Sequence, residues 1–277
     1  MICLRNGGYP RKMERLRLYK TEAIVLKHIP IGEADRLVTL YTPHLGKVRA
    51  VARGARRTKS KLAGHLEPLT RVQVLIRRGK TLDTISQGET VMSNIDLRND
   101  LWRMSCGLYM AELIERFTQE QMENLSLYRL FRDSLASAGV SKAIDLLLRS
   151  FELRMLHLVG YRPELQRCVE CSTPLSPGTN FFSPSAGGVL CPDCRGKHSL
   201  NRPLSLNALK VLRLLARGGT ESAEAVKLSE DLAIELEGTL RQYIRYLLEQ
   251  EVKSTEFLDL LRRESLGGVL MRGDAAN

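Results

Sequence analysis

The chain has 277 residues, 43% hydrophobic and 26% charged, a balance that excludes wholesale disorder and leaves room for about two domains. No apolar run approaches the ~20 residues of a membrane span, and the basic N-terminal stretch lacks the apolar block of a secretory signal, so the sequence reads as cytoplasmic. The net charge of +11 is unevenly placed: residues 1–95 hold 19 Lys and Arg against 7 Asp and Glu, whereas the rest hold 23 against 24. A basic excess confined to the first third of a chain points to a polyanionic partner.

Residues 1–14 read as a basic arm, with Gly7, Gly8 and Pro10 opposing regular structure and Met13 an alternative start. From Tyr19 the pattern turns to short β-type runs. Ala23–Ile29, Arg36–Thr42, Lys47–Arg53, Arg71–Arg77 and Leu82–Ser86 are expected as five strands separated by Gly, Pro and Asp turns. In the third, Val48, Ala50 and Ala52 alternate with Lys47, Arg49, Val51 and Arg53, so one face packs while the other presents cations. Five such strands over 15–95 suit a small Greek-key barrel of the OB type, although an SH3-like barrel gives nearly the same string.

An OB barrel grips oligonucleotides across strands 2–3 and the loops joining strands 1–2 and 4–5. The candidate phosphate-binding residues are Lys47, Arg49, Arg53, Arg56, Arg57, Lys59 and Lys61, with Arg77 and Arg78 on the turn after the fourth strand. Rings are scarce: residues 1–95 contain Tyr9, Tyr19 and Tyr41 but no Phe or Trp. Binding is therefore expected to be mainly electrostatic, tolerant of sequence and sensitive to salt, on single strands or duplex.

After Asn94 the hydrophobic period lengthens, predicting helices over 101–117, 126–138 and 142–159, with Gly160 and Pro163 ending the last. Beyond the cysteine segment, Ser205 and Ser229 are expected to cap two more, the second carrying Leu232, Leu236, Leu240, Tyr243 and Leu247 on one stripe. The helical domain thus spans 96–165 and 201–266, interrupted by a finger at 166–200 and followed by a tail at 267–277.

Cys3 falls in the arm and Cys106 in an apolar helix. The other four cysteines form two C-x2-C pairs, Cys168/Cys171 and Cys191/Cys194, with nineteen residues between. Two tight knuckles at that spacing suit one structural zinc ion held by four thiolates. Disulfides fit a reducing cytoplasm poorly, and a thioredoxin-like pair lacks its βαβ context. Phe181 and Phe182, between the knuckles, are placed to pack the finger onto the helices.

Enzyme motifs are missing. His65-Leu-Glu67 with Cys191-x-x-Cys194 is superficially like a zinc deaminase, but Leu190 stands where that pattern has proline. Gly46-Lys47 is followed by Val48 and not by the Ser or Thr of a phosphate loop. The sequence reads as a binding protein. An RNA-binding or ribosome-associated protein, and a scaffold for acidic protein tails, remain alternatives on composition.

The residues Thr21–Leu26, Gly32-Glu-Ala-Asp-Arg36, Gly46-Lys47, Gly54-Ala-Arg-Arg57, Ser60-Lys61, Leu66-Glu-Pro68, Phe151–Leu156 and Gly160-Tyr161 appear in an order that resembles the bacterial RecO family of recombination mediators, from about Tyr19 to Leu261. The resemblance implies an N-terminal OB domain, a helical domain and an embedded zinc finger. It also implies binding and annealing of single- and double-stranded DNA, with RecR as partner and the acidic tail of single-strand-binding protein as a second. RecA would be served indirectly, through loading onto coated strands. The arm at 1–12 has no counterpart in that pattern.

Overall fold

In the computed structural model, residues 17–217 and 228–262 are described; the basic arm, Cys3, Met13 and the tail at 267–277 lie outside them. The first part is a closed barrel of β1 (Leu18–Ile31), β2 (Asp35–Thr42), β3 (Gly46–Ala52), β4 (Arg71–Arg77) and β5 (Asp83–Met92), ordered β1-β2-β3-β5-β4. β1 is long enough to serve two neighbours. Leu18–Ile24 pairs with β4 and Ile24–Ile31 with β2, both antiparallel. Closure comes from a short parallel pairing of β3 with β5, Ala50 opposite Asp83 and Val51 opposite Thr84. That connectivity is the OB closure and decides between the two barrel types that the strand pattern allowed.

Period-2 alternation fills the barrel with Val38, Leu40, Val48, Ala50, Val72, Val74 and Ile76, all buried. Leu66, from the 3-10 turn Ala63–Leu66, joins this core. The fifth strand is longer than the sequence suggested, because pairing with β4 carries it past Ser86 to Met92.

The helical part contains α1 (Ile95–Arg98), α2 (Leu101–Phe117), α3 (Leu125–Val140), α4 (Ile144–Leu158), α5 (Leu206–Arg217) and α6 (Glu230–Leu248), with a further helical stretch over 253–262. Four of the main starts have a local cause, since the side chains of Asp100, Asn124, Ser205 and Ser229 accept hydrogen bonds from the Arg103, Leu127, Ala208 and Leu232 amides, whereas α4 begins after Ala143 without a side-chain cap. α4 is buried on nearly every side, its polar Arg149, Ser150 and Glu152 included. Inside it, Glu152 accepts a hydrogen bond from Tyr109 Oη at 2.6 Å and forms an ion pair with Arg149 at 2.8 Å. Burial pushes the Glu152 carboxyl up, and the Arg149 guanidinium opposes that rise.

Barrel and helices share one apolar seam. Ile24, Leu26, Tyr41 and Leu69 belong to the same core as α2, α3 and α4, and Tyr41 stacks on Tyr128 with ring centroids 6.4 Å apart. Between α4 and α5 a small sheet of β6 (Asn180–Ser183), β7 (Gly188–Leu190) and β8 (Arg202–Leu204) carries the cysteine segment. Phe182 is buried against Tyr243 of α6, edge to face at 5.4 Å, so it anchors the finger as expected. Phe181 instead packs on the cysteine cluster beneath Arg195.

Candidate nucleic-acid interface and metal centre

Two glycine-containing turns of the barrel interlock through hydrogen bonds. Gly54, at φ +65°, donates its amide to Asp35 Oδ1 at 2.7 Å, and Arg56 donates its amide to Ala34 O at 2.8 Å and a guanidinium N–H to Gly32 O at 3.0 Å. Gly32–Asp35 and Gly54–Arg57 therefore form one rigid corner at the end of β3. On the other side of the opening, Gly79 lies so close to Leu82 that a Cβ there would meet the Leu82 carbonyl oxygen at 1.8 Å. Asp83 fixes that turn, accepting from the Gly79 amide at 3.1 Å and from Tyr19 Oη at 3.1 Å. The Arg78 guanidinium stacks over the Tyr19 ring at 4.9 Å.

These turns bring Arg53, Arg56, Arg57, Arg77 and Arg78 to one end of the barrel, with Lys59 and Lys61 on the segment that follows. None of the seven forms a salt bridge among the described residues, whereas Arg36 and Arg71 are paired with Glu67 and Glu22. Arg53 and Arg57 line a shared hollow of about 680 Å3 beside β5. Lys61 faces a separate hollow with Lys20 and His65.

Lys47 and Arg49 are drawn elsewhere. Lys47 Nζ donates to the carbonyls of Glu115 and Thr118, at 2.6 and 2.5 Å, at the C-terminal end of α2, where a cation also complements the helix dipole. Burial lowers its pKa. Arg49 pairs with Glu120 and Lys27 with Glu115, so this edge of the barrel is a clamp on the helical part. Gly46 completes it: at φ +60°, a Cβ there would meet the Met122 carbonyl oxygen at 1.9 Å. The pair Gly46-Lys47, isolated as a failed phosphate-loop match, is a docking device. Its signal in the sequence was a glycine and a lysine beside a strand start, which does not distinguish a solvent-facing cation from a buried one.

The four cysteines converge. The Sγ atoms of Cys168, Cys171, Cys191 and Cys194 all lie within 4.8 Å of one another, and Cys171 and Cys191 are 3.8 Å apart. Four sulfurs at the Zn–S distance of ~2.3 Å in a tetrahedron sit ~3.8 Å apart, well beyond the ~2.05 Å of a disulfide. Each knuckle is held by its own backbone, Ser172 N to Cys168 O at 2.9 Å and Cys194 N to Cys191 O at 3.1 Å. The Thr173 hydroxyl, 3.0 Å from Cys171 Sγ, and the Thr173 amide hold that thiol down at about 6, whereas burial pushes Cys191 up and Cys194 up to about 12, so the fit to a metal rests on the clustering of the four sulfurs. The set can bind one metal ion. The lone Cys106 is a buried apolar filler whose thiol is pushed up to about 12 by burial.

A third feature lies in the helices. A hollow of about 540 Å3 between α4 and α6 is lined by Leu146, Ala233, Ile234 and Leu236, with Arg149 and Arg262 among its polar members. Arg149 is buried, and its Nε has no hydrogen-bond partner among the described residues.

Two family profiles cover this architecture: residues 13–94 match the one described as Recombination protein O N terminal, and residues 98–256 the one described as Recombination protein O C terminal. The chain belongs to the RecO family. Similar RecO proteins, each named DNA repair protein RecO, include that of Roseiflexus sp. (strain RS-1), 42% identical over 249 residues, covering 90% of this chain and 88% of the relative. That of Dehalococcoides mccartyi (strain ATCC BAA-2266 / KCTC 15142 / 195) is 37% identical over 90% of this chain and 98% of its own. The RecO of Symbiobacterium thermophilum is 38% identical over 89% and 99%. The RecO profiles meet in the few residues between β5 and α2, close to where the strand pattern gives way to the helical one. No helix among the described residues is long and apolar enough to cross a membrane.

Proposed function

We propose that this chain is a non-catalytic DNA-repair mediator that binds single- and double-stranded DNA through its barrel and anneals complementary strands. The observation that carries the proposal is the set of seven cations, none in a salt bridge among the described residues, gathered around the turns that flank the binding face of an OB barrel. Phosphate contacts carry no sequence information, so they can neutralise two strands while leaving base edges free to pair. The contact set is Arg53, Arg56, Arg57, Lys59, Lys61, Arg77 and Arg78; Lys47 and Arg49 act in the clamp and leave the set. Replacing Arg56, Arg57, Lys59 and Lys61 by Ala should flatten the salt dependence of single-strand binding by about 0.7 per lost contact. An unchanged slope in a folded variant would count against the assignment.

The metal in this reading is one structural zinc. Four protein ligands leave no open position for an activated water, so the ion would stabilise and not catalyse. RecR is the proposed partner, with RecA loading onto strands coated by single-strand-binding protein as the outcome and the nucleoid as the place of work. For the acidic tail of single-strand-binding protein, the hollow between α4 and α6 is the supporting feature. Its apolar floor of Leu146, Ala233 and Ile234 can take the apolar side chains of such a tail. Strand annealing measured with bare and with coated strands tests the whole reading. Failure to speed either would overturn it.

A further inference from the structure

The cationic end of the barrel is not uniformly polar. Ile31 at the end of β1 and Leu82 in the β4–β5 turn are each 38% exposed, and with half-buried Val51 they line the hollow whose rim carries Arg53 and Arg57. Apolar side chains at a polyanion-binding surface contribute nothing to phosphate binding, yet these sit where the barrel opens beside its short β3–β5 closure. Both adjoin turns that are tied by hydrogen bonds. Ile31 precedes the Gly32–Asp35 turn bonded to Gly54 and Arg56, and Leu82 lies in the turn that the Gly79 amide closes on Asp83. The carboxylate lining the hollow, Asp35, has Oδ1 taken by the Gly54 amide, which ties it to the turn.

We propose that this hollow accepts one unpaired base of a single strand, its face against Ile31, Val51 and Leu82, while Arg53 and Arg57 hold the flanking phosphates. The inference rests on the reading of the barrel as a nucleic-acid interface and adds to it a preference that charge alone does not supply. A base already paired and stacked in a duplex cannot enter without being flipped out against its pairing and stacking. The absence of a ring at this position matters for annealing. An aliphatic seat holds a base less tightly than an aromatic ring on which it stacks, and so releases it more readily to a complementary strand.

The test uses the full chain and three probes of equal phosphate count: an oligothymidylate, the same strand with abasic sites, and a duplex, each titrated across a range of salt. The variant is Ile31→Ser with Leu82→Ser, two exposed positions whose loss leaves the barrel core intact. It is expected to bind the oligothymidylate about ten-fold more weakly with an unchanged salt slope, and to bind the abasic strand and the duplex as the parent does. Equal losses on all three probes, or no loss on any, would overturn the base seat while leaving the cationic interface standing. Arg53→Ala with Arg57→Ala should instead lower the salt slope by about 1.4 on both single-stranded probes. If the parent chain binds none of the probes in dilute salt, it is the interface itself that fails.

Discussion

A lysine on the outer face of a basic strand has two uses, and Lys47 takes the one that its neighbours in the sequence do not announce. Its ammonium satisfies two carbonyls at the end of α2, and hydrogen bonds to a charged group are worth ~1.5–3 kcal/mol. Lys47→Met is therefore expected to destabilise the chain by ~1–2 kcal/mol in denaturant melts while leaving the salt slope of DNA binding unchanged. A reduced slope at full stability would return Lys47 to the interface. Glu152 makes the converse case, since it sits wholly inside α4 facing Arg149 and Tyr109. Glu152→Ala strands a buried guanidinium, and breaking such a pair costs ~3–5 kcal/mol. Equilibrium unfolding checks that, and a loss under 1 kcal/mol would show that Glu237, 4.0 Å from Arg149, suffices alone.

Among elements, the last helical stretch depends on a carboxylate from far away in sequence. Glu112 of α2 accepts from the Lys253 and Ser254 amides at 2.9 and 2.8 Å and from Ser254 Oγ at 2.7 Å. Burial pushes its carboxyl up, but these bonds, with Arg116, outweigh burial and hold it below the usual range. A depressed carboxylate contributes stability that is complete above its unfolded pKa of ~4.3 and fades as pH falls through the folded value. Glu112→Gln should therefore cost ~1 kcal/mol near neutral pH, and the difference from the parent should close in acid. A gap that persists well below pH 4 would assign the effect to packing. For the finger, Cys168→Ser with Cys194→Ser should abolish bound zinc and expose the amides of β6 and β7 to exchange. Retention of one zinc per chain would refute the four-thiolate site.

At the scale of the whole molecule, elements whose cause is local were legible and those whose cause is a distant contact were not. The five barrel strands follow from alternation, the five long helices from apolar stripes, and the cysteine quartet from spacing, because each needs only neighbouring residues; β6, β7, β8, α1 and the helical stretch over 253–262 were not among the expected elements. Gly46, Lys47 and Arg49 answer to α2 and the segment after it, roughly seventy positions on, and no window of sequence contains both sides of that clamp. The apolar seat was overlooked because Ile31, Val51 and Leu82 belong to three separated segments. The seam has a consequence for the barrel itself. Cutting the chain after residue 94 would bare Ile24, Leu26, Tyr41 and Leu69, which are buried against α2 and α3 in the intact protein, and would leave Lys47 without its carbonyls. An apolar face of that kind is an association hazard. The isolated barrel is thus expected to melt below the full chain and to bind a hydrophobic dye that the full chain excludes, and failed DNA binding by it would reflect lost structure rather than a wrong interface. A fragment with the full chain's melting temperature and no dye binding would show that the seam joins two self-sufficient domains.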